Sequence, residues 1–114
     1  MSQDTTPGTT HQNTPPKGYV IFDVKITDMA RYQDFMQCIK PTIEAAGGRY
    51  LVRGGEHKVL EGDWEPDRLV IFEFPSVEQA EAFYFSENYQ GGAKKIRDEC
   101  STGKVVVVEG LAGA

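Results

Sequence analysis

Gly47-Gly48-Arg49-Tyr50-Leu51-Val52-Arg53-Gly54-Gly55 is a five-residue run of strand formers fenced on each side by a glycine pair. It reads as a short strand whose entry and exit need backbone angles that glycine adopts at little cost. Upstream, Thr27-Asp28 offers an N-cap, and Tyr32, Phe35, Met36, Ile39, Ile43 and Ala46 recur at helical spacing, so the glycine pair at 47–48 ends an amphipathic helix. Pro41 falls inside that pattern and predicts a kink or break near Lys40, because proline removes a hydrogen bond and clashes with the preceding turn. Before the helix, residues 18–26 alternate as a strand, with Val20, Phe22, Val24 and Ile26 on one face and Tyr19, Ile21, Asp23 and Lys25 on the other.

Downstream, residues 54–68 read as a loop in which 57–61 offers a second short extended piece and 62–67 is turn chemistry. Residues 69–74 are almost continuously apolar, the mark of a central strand, and Pro75 closes it. Ser76 and Gln79 form a capping box that opens a helix carrying Val77, Ala80, Phe83 and Tyr84 inward. Residues 86–90 interrupt that helix. A further helical stretch is expected from about Ala93 to Glu99, weakened at its start by Gly91-Gly92, then a turn at 101–103 and a last strand over 104–110. The order is βαββαβ, an α+β ferredoxin-like pattern with a four-stranded antiparallel sheet over residues 18–111. Residues 1–17 are polar and Pro-containing without hydrophobic periodicity, and are expected to be a disordered tail.

The 114 residues suit one domain, and 39% hydrophobic with 25% charged residues is an ordinary globular composition. No apolar run approaches a membrane span of roughly 18 residues. Twelve basic against seventeen acidic residues give a net charge of −5 with no basic run, which argues against nucleic-acid and anionic-membrane partners. Cys38 and Cys100 lie far apart in helical segments, favouring buried thiols, and the N-terminus has no signal-peptide character. A cytoplasmic protein is expected. No nucleophile elbow, phosphate loop, zinc cluster or dinucleotide fingerprint is present, so no cofactor is expected.

Residues 47–55, then Leu60-Glu61-Gly62-Asp63-Trp64, then residues 69–76, then Ser86-Glu87-Asn88-Tyr89-Gln90 resemble, in this order, the successive signatures of the domain of unknown function 1330 family. The match runs from residue 18 to residue 111. The resemblance implies a protomer of the dimeric α/β-barrel superfamily, in which two four-stranded sheets pack face to face as a homodimer. Helices on one side leave the other face of the sheet uncovered, and Val20, Phe22, Val70, Phe72, Phe74, Val106 and Val108 are more apolar surface than an exposed face carries. The chain departs from the family pattern at Ala82-Phe83-Tyr84-Phe85, where relatives often carry tryptophan beside tyrosine, and at Gly91-Gly92, where they carry better helix formers.

Glu73 is the charge in a strand otherwise built for burial and needs a cation or donors nearby. Sheet order places Arg49 or Tyr50 near it and Arg53 nearer Asp23. A polar patch lining a ligand cavity and a structural ion pair are equal readings. Arg53 is a guanidinium able to fork onto a carboxylate or to make a dimer salt bridge. Trp64 suits a lid over a sheet edge more than a substrate platform. Tyr84 and Tyr89 suit core or rim, or a phenol donating to an oxyanion. Arg97 suits an ion pair with Glu61 or Glu73, or a solvated helix face. His57, in a loop, reads as a solvated side chain.

Two functions follow. One is a homodimer that binds a small organic ligand between sheet and helices. The other is a cofactor-free enzyme of monooxygenase or isomerase type, which requires Glu73, Arg53, Tyr84 or Tyr89 to converge on one enclosed pocket. A bare interaction module, with a filled core and no cavity, is the weaker third.

Overall fold

The structure is a computed structural model that describes residues 14–112. The expected tail at 1–17, with His11, lies outside the described residues as far as residue 13. The elements are β1 (Gly18–Ile26), α1 (Met29–Ala45), β2 (Arg49–Arg53), β3 (Leu69–Phe74), α2 (Val77–Tyr84), a π-helical turn (Tyr89–Ala93), α3 (Lys94–Cys100) and β4 (Ser101–Glu109). They build one four-stranded sheet in the order β2-β3-β1-β4, antiparallel throughout. This is the expected α+β, βαββαβ, ferredoxin-like arrangement.

Local chemistry sets the boundaries. The Asp28 carboxylate accepts the Arg31 N–H at 3.2 Å and opens α1, and the Ser76 hydroxyl accepts the Gln79 N–H at 3.1 Å and opens α2. Gly47 (φ 80°) ends the first helix and Gly54 (φ 68°) ends β2, so one glycine of each fencing pair takes the left-handed conformation. Gly48 is required for space instead, since a Cβ there would sit 2.5 Å from the Phe74 ring. Helix α1 runs unbroken through Pro41. The proline lies on the exposed side, while Ile39 and Ile43 on either side of it are both 1% exposed and hold the helix to the core.

Beneath the helices, Val20, Phe22 and Val24 of β1 and Val70, Phe72 and Phe74 of β3 form the floor of the core, and Tyr32, Phe35, Ile39, Ile43, Ala80 and Phe83 form its roof. The aromatic rings interlock, with Phe22 edge-on to Phe72 at 5.6 Å and Phe74 stacked on Phe83 at 5.2 Å. This corrects the face assigned from sequence. Val20, Phe22, Val70, Phe72 and Phe74 are covered by helices, whereas Val106 and Val108 lie on the other side. Pairing decides it: Ile21 lies opposite both Ile71 and Val106, and Tyr19 opposite Glu73 and Val108. Alternation sorts residues within a strand, but only the register says which sets share a face.

The open face therefore carries rows that cross the whole sheet. Val52, Ile71, Ile21 and Val106 make an apolar row, and Arg49, Glu73, Tyr19 and Val108 a mixed one beside it. Val106 is 55% and Val108 47% exposed.

Other boundaries differ from expectation. Residues 57–61 form no strand; Val59 and Leu60 face solvent with no apolar partner layer to pack against. The last strand starts at Ser101, directly off α3, because Ile26 and Lys25 of β1 extend far enough to pair with Ser101 and Thr102. Gly91-Gly92 do not weaken a helix start. They lie inside the π turn, between Tyr89 and Ala93, each 0% exposed.

Candidate functional site

The sequence candidates fall in four places. Glu73 is on the open face, its side chain 15% exposed, where it accepts from Arg49 Nε at 2.9 Å and from the Tyr19 hydroxyl at 3.1 Å. The Arg49 guanidinium, with help from the Tyr19 hydroxyl, holds the Glu73 carboxyl below the usual carboxylate range against the opposing effect of desolvation. The same hydrogen bond to Glu73, with some desolvation, raises the Tyr19 phenol. Of the two neighbours expected from strand order, Arg49 is the partner; Tyr50 lies opposite Phe72 instead.

Arg53 is not near Asp23. Leu51 is an extra residue in β2, a bulge between Tyr50 and Val52, and the shift turns Arg53 to the helix side, opposite Val70, with its guanidinium 5.2 Å from the Tyr50 ring centroid. Asp23 instead accepts the Trp64 Nε1–H and the Asp67 N–H, both at 3.0 Å. Trp64, 57% exposed, is pinned at the sheet margin and belongs to neither of the other clusters.

Tyr84, Tyr89 and Arg97 come together between the sheet and the helices. Tyr89 is fully buried, its ring 5.1 Å from Tyr84 and 4.8 Å from Phe83. Arg97 is 8% exposed and stands over the Phe22 ring at 5.2 Å. It pairs with neither Glu61 nor Glu73. Its nearest acid is Asp98, exposed, at 3.8 Å, too long for a hydrogen bond. Among the described residues, Arg97 Nη1 and the Tyr89 hydroxyl are both buried without a hydrogen-bond partner. Such atoms cost the fold about 1–3 kcal/mol each. Burial, more than the nearby Arg97 offsets, pushes the Tyr89 phenol far above its usual value and keeps it a donor. Burial also raises Tyr32, which neighbours the same cluster.

Helical spacing explains how the arginine enters the core. Ala93, Arg97 and Cys100 recur at four and three residues on the buried side of the last helical segment. The π turn carries Tyr89 into the same layer; such turns often accompany functional sites.

A cleft of about 210 Å³ opens between α2 and the β4 edge, walled by Tyr84, Phe85, Ala80 and, at its one charged position, Glu81, over Val20, Val105 and Val107. Tyr84 separates it from Tyr89, and Val105 lies opposite Phe22, the ring beneath Arg97. A larger, shallower groove of about 580 Å³ between α1 and α2 presents small and uncharged side chains, among them Cys38, Thr42, Ala46, Ala82 and Ser86. Among the described residues no group of three His, Cys, Asp or Glu side chains is placed to hold a metal, and no helix is long and apolar enough to cross a membrane.

Sequence reasoning missed the burial of Arg97 and missed Arg68 altogether. Arg68 shares the parity of Val70, Phe72 and Phe74, so alternation alone puts its side chain on the helix side. Its Nε is buried and unpartnered, and its guanidinium lies 5.6 Å from the Tyr32 ring.

Solved structures share this fold. A protein of unknown function from Rhodopseudomonas palustris superposes with a TM-score of 0.68 at 20% identity, covering 95% of each chain. Its methylated form gives 0.68 at 19% identity, over 95% of this chain and 93% of that one. A conserved protein from Methanosarcina mazei Go1 gives 0.53 at 17% identity, over 86% and 96%. At these identities the likeness is one of fold. A comparison with curated proteins finds no match. The family profile described as "Domain of unknown function (DUF1330)" matches residues 17–111, nearly the whole described fold, and the chain belongs to that family.

Proposed function

We propose that the protein is a homodimer that binds a compact organic acid between its sheet and its helices. The observation that carries the ligand reading is the Arg97–Tyr89 pair: a guanidinium and a phenol, both buried, each with an unmatched polar atom. A carboxylate brought between them would accept from both and offset the desolvation cost of the two unmatched atoms. The apolar body of the acid suits the cleft of Val20, Val105 and Val107, which is smaller than the roughly 300–1,000 Å³ of drug-sized sites. Half-buried Tyr84 stands between cleft and pair, its ring 5.1 Å from Tyr89, so this reading requires Tyr84 to move aside when a ligand binds.

Dimerisation is supported by the open face. An apolar row across all four strands, flanked by the Arg49–Glu73–Tyr19 cluster, is the surface a second copy of the sheet covers. The free thiols of Cys38 and Cys100 agree with a cytoplasmic setting. Catalysis has less support. Glu73 lies on one face of the sheet and Tyr84, Tyr89 and Arg53 on the other, so the acid, the guanidinium and the phenols do not share one pocket.

The test is a thermal-shift screen of the purified full chain against small organic acids, run in parallel on Tyr89→Phe and Arg97→Met. A ligand at a hundred times its dissociation constant adds about 2.7 kcal/mol to apparent stability. The reading expects hits with the wild type that both variants lose while remaining folded. Hits that persist in both variants contradict it.

A further inference from the structure

Two further arginines, Arg53 and Arg68, lie in the same helix-side layer, around a void that Phe22, the ring beneath Arg97, also lines. Arg53 and Arg68 flank the Tyr50 ring, and among the described residues neither has a carboxylate within 4 Å. Arg68 is fixed in place. Its guanidinium lies over the Tyr32 ring, its Nη2 reaches the Met36 sulfur at 3.8 Å, and Gly54 is moulded against it, since a Cβ there would run into the guanidinium. Gly54 meets this with φ 68° and donates its N–H to the Leu69 carbonyl at 2.8 Å. Despite this fixed position, Arg68 Nε is buried with no acceptor.

Between the two arginines is a void of about 10 Å³, bounded by Tyr32, Tyr50 and Phe72. That volume is at the lower limit for a single water, so a carboxylate enters only when the exposed Arg53 side chain moves outward. Arg53 is exposed and flexible enough to open the mouth; Arg68 is the fixed half. A guanidinium fork matches the planar two-oxygen geometry of a carboxylate, and aromatic walls suit a monoanion better than the more strongly hydrated phosphate dianion.

We propose that the corner formed by Arg53, Arg68 and Tyr50 is a binding site for the carboxylate of a small organic acid, separate from the Arg97–Tyr89 pair. Arg68 Nε–H is the inner donor, Arg53 closes over the bound group from the β2 edge, and the Tyr50 hydroxyl is the third donor. The bulge at Leu51 is what makes the site, because regular alternation in β2 would put Arg53 on the other face.

The arginine Nε–H signals in a proton–nitrogen correlation spectrum of the labelled full chain test this. Sodium benzoate is titrated against sodium chloride at matched ionic strength, with inorganic phosphate as a separate arm. The Arg68 signal, identified by its loss in Arg68→Lys, is expected to move saturably with benzoate. Arg53→Gln is expected to weaken that binding by about tenfold or more, the loss of one charge-assisted hydrogen bond, and by more than Arg97→Met does. No saturable movement overturns the proposal, and so does movement with phosphate alone. Binding that survives Arg53→Gln but is lost in Arg97→Met belongs to the deep pair and leaves this corner without a ligand. Failure here does not touch the reading of Arg97 and Tyr89, whose own variants report on it.

Discussion

A buried hydroxyl without a partner costs stability whenever its ligand is absent, so Tyr89→Phe has a definite sign. The ligand-free variant should be more stable than wild type by about 1–2 kcal/mol, a rise of roughly 4–8 °C in melting temperature per kcal/mol, readable by calorimetry. Alkali gives a second readout. Burial raises the folded-state pKa of Tyr89, so its contribution is complete below the unfolded value near 10 and is lost as pH rises above it, at about 1.4 kcal/mol per pH unit. Urea midpoints for Tyr89→Phe should therefore fall less steeply above pH 10 than those of the wild type. Glu73 works in the opposite direction. Arg49 lowers its folded-state pKa, so its contribution is present above the ordinary carboxyl range and is lost as pH falls through the lowered value. Glu73→Gln should flatten the acid limb of the stability profile and leave the alkaline limb alone. Of these residues, the Glu73–Arg49 contact was legible in the sequence to within one residue, because strand order puts Arg49 and Tyr50 beside Glu73 and only the register chooses between them. The Arg97 site was only half legible: its helical spacing with Ala93 and Cys100 was visible, but an arginine on an apolar stripe reads as solvated until burial is seen.

At the scale of the element, the end of β2 is held by one glycine and not by its neighbour. Gly54 has φ 68°, and a Cβ on it would run into the Arg68 guanidinium, whereas a Cβ on Gly55 meets nothing within 4 Å. Gly54→Ala should destabilise by about 1–3 kcal/mol, and Gly55→Ala should leave chemical-denaturation midpoints almost unchanged. Gly91, inside the π turn with normal backbone angles and only the flexible Glu87 carboxylate at 3.8 Å, behaves differently again. Gly91→Ala should stabilise by about 0.5–1 kcal/mol in the same assay, by restricting the unfolded chain. These contrasts mark how far the sequence could be read. Residues 18–26, 49–53 and 69–74 showed their strands through alternation or unbroken apolarity, and Asp28 and Ser76 showed their helix starts through capping. The bulge at Leu51 was hidden, since an extra residue leaves no compositional trace, and with it the side to which Arg53 points. The π turn was hidden for a related reason: Gly91-Gly92 lowers helix propensity, while the packing of Tyr89 and Ala93 that overrides it is a tertiary effect.

For the molecule as a whole, the sheet divides the work. Its helix side holds the aromatic core and both unmatched arginines; its open side holds an apolar row from Val52 to Val106 with one ion pair at its margin. The antiparallel order was legible from the succession of elements, but the parity of β4 relative to β1 was not, so the residues first assigned to the open face were mostly those of the core. The corrected set still requires cover, and the claim on which the account stands is that a second copy supplies it. Sedimentation velocity of the full chain at micromolar concentration, beside Ile71→Asp, tests that claim most directly. A dimer is expected for the wild type and a folded monomer for the variant, in which a charge stands in the middle of the apolar row. A wild type that sediments as a monomer would contradict it.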